Sequence, residues 1–78
     1  MIYGLIRTMK AIIEIELGNS AFGNNAAERL FELRNVMEKL MDNAERIMVT
    51  EEGDFATASD TNGNTVARLE LVEDNNDN

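Results

Sequence analysis

Few residues of this chain invite a chemical reading, and the sharpest group is Asp60-Thr-Asn-Gly-Asn64. Three oxygen-bearing side chains at alternate positions suggest a calcium loop. A loop of the EF-hand kind needs glycine sixth and a bidentate glutamate twelfth. Counted from Asp60, glycine stands fourth and the twelfth residue is Leu71. The pattern fails as a cation site, and a tight hairpin wants the same residues for backbone reasons alone. Glu14 and Glu16 form a second candidate, a catalytic carboxylate pair. They alternate with isoleucines on the solvent side of a strand, whereas general acid work needs one carboxyl in a desolvating or hydrogen-bonded site. A third candidate is Gly18-Asn-Ser-Ala-Phe-Gly23, which precedes a helix N-terminus where phosphate can bind. Asn24 follows where a P-loop requires lysine, so the segment reads as loop geometry, with Asn19 and Ser20 exposed for contact with a partner.

The 78-residue chain contains neither histidine nor cysteine. This removes the commonest general base, the commonest transition-metal ligand, every disulfide and every Cys-based zinc site. The usual routes to acid–base and covalent catalysis are closed, so the expectation is a binding protein without catalytic residues, cofactor or metal.

Charge gives a better lead. The net charge of −8 is uneven: residues 1–50 hold seven acids and six bases, while residues 51–78 hold eight acids against Arg68 alone. A nearly neutral body thus carries an acidic C-terminal third. Direct binding to nucleic-acid phosphates is disfavoured, because it needs clustered Lys and Arg. A basic protein surface is the natural electrostatic partner. Glu51, Glu52, Asp54, Asp60, Glu70, Glu73 and Asp74 are the acids that would dock on it, and solubility is the bland reading of the same residues. The opening Met1-Ile-Tyr-Gly-Leu-Ile6 is apolar, but Arg7 follows it instead of preceding it, and no run of signal-peptide length comes after. No membrane association is expected, and the cytoplasm is the expected compartment.

The elements that must position these residues follow from periodicity. Residues 10–17 alternate as a strand, with Ala11, Ile13, Ile15 and Leu17 on a buried face and Lys10, Ile12, Glu14 and Glu16 on the other. Residues 1–8 read as an extension or, equally, as a short edge strand. Asn25 is a good N-cap, with Glu28 placed to reach back to its N–H. The helix that follows carries Ala26, Leu30, Leu33, Met37, Leu40 and Ala44 at spacings of four and three, widened by Ala27, Phe31, Val36 and Met41. Its wet face holds Glu32, Arg34, Asn35, Glu38, Lys39 and Asp42. It is expected to run to about residue 48, a short strand over residues 46–50 being the alternative, with residues 51–54 a loop. A two-residue type I′ turn at Asn62-Gly63 closes a hairpin that pairs Ala58 with Ala67 and Ala56 with Leu69 on an inner face. Phe55, Thr57, Ser59, Val66, Arg68 and Glu70 take the outer face. Residues 74–78 form a polar tail expected to be disordered.

The order β-α-β-β predicts an α+β domain spanning residues 9–73, one helix covering one face of a small antiparallel sheet. Such a domain is marginal alone, which predicts a homodimer. Phe31, Met37, Met41 and Met48, on or beside the helical stripe, are the interface candidates.

The chain resembles a group of small proteins common in tailed-phage and prophage genomes. The likeness rests on Ile13-Glu-Ile-Glu-Leu-Gly-Asn-Ser-Ala-Phe22, the helix from Asn25, and Asp60-Thr-Asn-Gly-Asn-Thr-Val66. Ala67 stands where the group usually has glycine, residues 43–52 look like an insertion, and residues 1–8 like an extension. The resemblance implies phage or prophage origin, hence a bacterial host cell, and assigns no activity and no functional residue. Together with the acidic third it suggests an accessory protein that binds a host protein, such as a nucleic-acid-handling or defence complex. The alternative is a structural protein whose main partner is itself.

Overall fold

A computed structural model describes residues 8–74. The expected extension at residues 1–8 and tail at residues 74–78 lie outside the described residues, apart from Thr8 and Asp74. Four elements follow in the expected order: β1 (Met9–Ile15), α1 (Ala26–Arg46), β2 (Phe55–Ser59) and β3 (Thr65–Glu73). The sheet is antiparallel in the order β1-β3-β2, and α1 packs on one face of it, an α+β fold.

Cross-strand rows define the faces. Ile13 pairs with Leu69 and Leu69 with Ala56; Ile15 pairs with Ala67 and Ala67 with Ala58. The three alanines leave room for the helix to approach closely, and Val36, Leu40 and Ala44 of α1 descend onto them and Leu69. Phe22 completes this core from a 3-10 turn (Ser20–Phe22) that lies between β1 and α1. No sequence signal marked Phe22, an isolated aromatic in a loop-forming segment.

Local chemistry fixes the helix ends. Asn25 Oδ1 accepts the Glu28 N–H at 2.9 Å, as its N-cap role requires. The return bond differs from expectation: Glu28 Oε1 takes the N–H of Asn24, not of Asn25, at 2.8 Å. Gly23 makes this possible, because its φ is +73° and a Cβ there would collide with the Glu28 side chain. At the other end the Val49 N–H reaches Ala44 O at 2.9 Å and the Met48 N–H reaches Glu45 O at 3.2 Å. This is a Schellman closure, with Val49 packed back against the core. It ends the helix at Arg46, two residues before the expected stop, and holds Met48 at φ +62°, where glycine is usual.

The hairpin reaches the expected pairs by a different route. Ala58 faces Ala67 and Ala56 faces Leu69 as anticipated. The turn, however, is a three-residue loop: the Gly63 N–H bonds Asp60 O at 3.1 Å and the Asp60 N–H bonds Asn64 O at 2.9 Å. Gly63 alone in the loop has positive φ, +87°, so this is not the expected type I′ turn. The longer loop offsets the ladder by one residue, and a bulge at Val66 restores it. For that reason Val66 and Ala67 are both buried, and Val66, expected on the outer face, joins the core.

Candidate functional site

The acidic residues divide by position and duty. β2 begins and β3 ends at the same edge of the sheet, where the Gly53 N–H bonds Leu71 O and the Leu71 N–H bonds Asp54 O. Glu51, Glu52 and Asp54 of the α1–β2 connection therefore gather beside Glu70, Glu73 and Asp74 of β3 and its continuation. Within this group Asp54 organises its own loop, accepting the N–H groups of Thr50 and Glu51 at 3.1 and 2.9 Å. Glu70 lies 3.4 Å from Arg68, whose guanidinium covers the Phe55 ring at 4.0 Å. Glu51 and Glu52 are exposed, and Glu73 and Asp74 are half-buried.

Asp60 stands apart, in the hairpin loop at the opposite end of the sheet. It was expected among the docking acids, yet it is only 2% exposed. Its Oδ1 accepts the N–H groups of Asn62 and Asn64, both at 2.9 Å. Burial by itself raises the pKa of this carboxyl, but the Asn64 N–H, the Asn19 side-chain amide, the Asn62 N–H and the Asn64 amide outweigh it. The group is held below the ordinary aspartate value. Oδ2 is buried and receives no hydrogen bond. Asp60 is thus a loop-building residue and presents nothing to a partner.

Glu32 reinforces that loop from the helix. Expected on the wet face, it is 4% exposed, and its Oε2 accepts the Thr61 N–H at 2.9 Å. Further along the same flank, Lys39 Nζ donates to Ser59 O at 2.9 Å and Asn43 Nδ2 donates to Thr57 O at 2.8 Å. Three side chains expected to be in contact with water or unassigned therefore fasten α1 along the outer edge of β2. Nothing in the periodicity could reveal this, since polar groups that bond a distant backbone look like polar groups that bond water.

The fastening places α1 off-centre. It lies against β2 and β3 and not over β1, from which Ile15 reaches the rim of the core. Ala11, Ile13 and Leu17, expected to be buried, are consequently exposed, Ile13 to 41%. The helix is also turned relative to the expected stripe: Leu30, at 64% exposure, and Phe31, at 67%, leave the core. At 100° per residue, Met37 and Met41 fall on the flank opposite Lys39 and Asn43, towards the bare side of the sheet. Met37 is half-buried there, while Met41 and Met48 are exposed and line a shallow hollow of about 400 Å³ with Ala44 and Val49. Of the four interface candidates, Met37, Met41 and Met48 share this flank, and Phe31 faces a second hollow of about 350 Å³ with Ala21, Gly23 and Ala27.

No protein-family model, curated protein or solved structure matches the chain. No helix among the described residues is long and apolar enough to cross a membrane.

Proposed function

We propose that this chain is a small acidic accessory protein of phage type that acts by binding another protein. Its partner is a basic surface of a host nucleic-acid-handling or defence complex, which it inhibits by occupying the place of phosphates. The observation that carries the reading is the convergence of Glu51 and Glu52 with Glu73 and Asp74 at one end of the sheet, from segments some twenty residues apart. Glu51 and Glu52 have no structural bond to lose on docking through their side chains, and a carboxylate cluster steers association with a cationic surface. The test is capture of partners from nuclease-treated bacterial lysate by the tagged chain at low and high salt. A dominant host protein released by salt, and absent when Glu51→Lys and Glu52→Lys are combined, supports inhibition through this end. Unchanged capture by the double variant sinks it.

A second reading, a self-assembling homo-oligomer with no catalytic role, is favoured by the bare side of the sheet. Ile13, Leu30, Met41 and Met48 are all more than 40% exposed. Exposed apolar side chains of this kind, on the helix flank and on the strand it leaves uncovered, are a mark of association.

A further inference from the structure

The two edges of the sheet differ in what remains of their hydrogen-bonding capacity. On β2 the outward carbonyls of Thr57 and Ser59 are already taken by Asn43 and Lys39. On β1 the direction of the backbone follows from two bonds: Thr8 O accepts the Asp74 N–H at 2.9 Å, and the Glu16 N–H reaches Val66 O at 2.8 Å. Antiparallel strands alternate these directions residue by residue. Even-numbered residues of β1 therefore face β3, and Met9, Ala11, Ile13 and Ile15 turn their N–H and C=O groups outward. A seven-residue strand carrying exposed isoleucines on both faces, with an outer edge unpaired among the described residues, is a template for another strand.

We infer that this edge pairs with the same edge of a second copy, antiparallel, about a twofold axis at Ile12, making one six-stranded sheet. The inference rests on the self-assembly reading and supplies its geometry. Outward residues must meet outward residues, so only alternate registers are possible. With the axis at Ile12 the whole strand pairs, from Met9 against the partner's Ile15 to Ile15 against the partner's Met9. Lys10 then stands opposite the partner's Glu14, and Glu14 opposite the partner's Lys10, two attractive pairs on the open face. Ala11 meets the partner's Ile13 on the helix side, large against small. Moving the axis to Ala11 sets Lys10 against Ile12, and moving it to Ile13 sets Glu14 against Ile12, shortening the ladder in both cases. The present partner of Lys10, Asp74 at 3.9 Å, is an exposed pair that is easily exchanged.

Sedimentation of the full chain over a range of concentrations reads the association, and single cysteines read the register against a cysteine-free background. Ile12→Cys lies on the axis in a non-hydrogen-bonded pair, where Cβ atoms approach to about 4.5–5.5 Å, and should oxidise to a linked dimer. Thr57→Cys, on the same face of β2, should stay free. Lys10→Glu, which sets like charges together twice, should weaken the dimer about tenfold or more while leaving the circular dichroism of the fold unchanged. A monomer at every concentration overturns both the dimer and the self-assembly reading. A dimer in which Ile12→Cys links no faster than Thr57→Cys overturns this register and leaves self-assembly standing.

Discussion

Along β2 the helix lies close, its Asn43 and Lys39 closing the outward carbonyls of Thr57 and Ser59; along β1, two strands away, the same sheet has no helix above it and, among the described residues, no strand on its outer side. Both strands alternate, so periodicity does not set them apart. The difference comes from the helix, whose apolar sector is broader than the strip of sheet it can cover. Where such a helix settles is decided by its polar neighbours: Glu32 on the Thr61 N–H, Lys39 and Asn43 on β2. Buried contacts are concentrated on one side of the molecule, and exposed apolar side chains on the other.

Substituting the same residue type on the two sides gives the largest contrast. Leu40 is fully buried between α1 and the sheet, and Leu40→Ala should destabilise the fold by about 2–5 kcal/mol in urea unfolding. Ile13→Ala, on the bare side, should cost under about 1 kcal/mol measured at concentrations where the chain is monomeric, because much of the side chain is already wet. Equal losses would mean that β1 is covered after all. Removing both Asn43 and Lys39 side chains by alanine should destabilise by about 1–2 kcal/mol and, more tellingly, make the β2 edge as available for strand pairing as β1. Faster aggregation of that variant, followed by light scattering, checks it.

A pH titration sharpens the contrast at the hairpin loop. The folded state holds Asp60 below its unfolded pKa, so the folded carboxyl stays ionised at pH values where the unfolded one takes up a proton. The stability it contributes is present above the unfolded value of about 4 and is lost as pH falls through the lower folded value. The urea midpoint should drop between about pH 4 and the acid limit, and Asp60→Asn should flatten that drop. The smallest effect is expected at Met48, whose left-handed backbone suits glycine: Met48→Gly should raise stability by up to about 1 kcal/mol in thermal unfolding. If the methionine serves association, the same variant should also weaken the dimer.

Much of this fold was legible because the signals are local. The alternation of residues 10–17 marks β1, Asn25 marks the helix start, and Ala56 and Ala58 find Leu69 and Ala67 as soon as a turn is placed at Asn62-Gly63. The rotation of α1 was not legible, because a helical wheel shows which residues are apolar and not which of them a three-stranded sheet can reach. Glu32 shows the limit most clearly: its carboxylate is buried to hold one N–H from a loop 29 residues away. The acidic set was only partly readable for the same reason. Glu51 and Glu52 are surface charges, whereas Asp60 is spent on the turn that it helps to build.

The hairpin holds two irregularities, the three-residue loop at its tip and the bulged Val66 on β3, and they cancel. The loop is one residue longer than a two-residue closure, and β3 carries one residue more than β2 between the tip and Ala67. A single residue lost from either place leaves Ala58 opposite Ala67 and every later pair undisturbed. A shift that reached beyond Ala58 would instead turn Arg68 and Glu70 inward and expose Leu69. The tip therefore acts as a buffer that takes up a change of one residue in chain length before it reaches the sheet, at the expense of a core side chain where the residue lost is Val66.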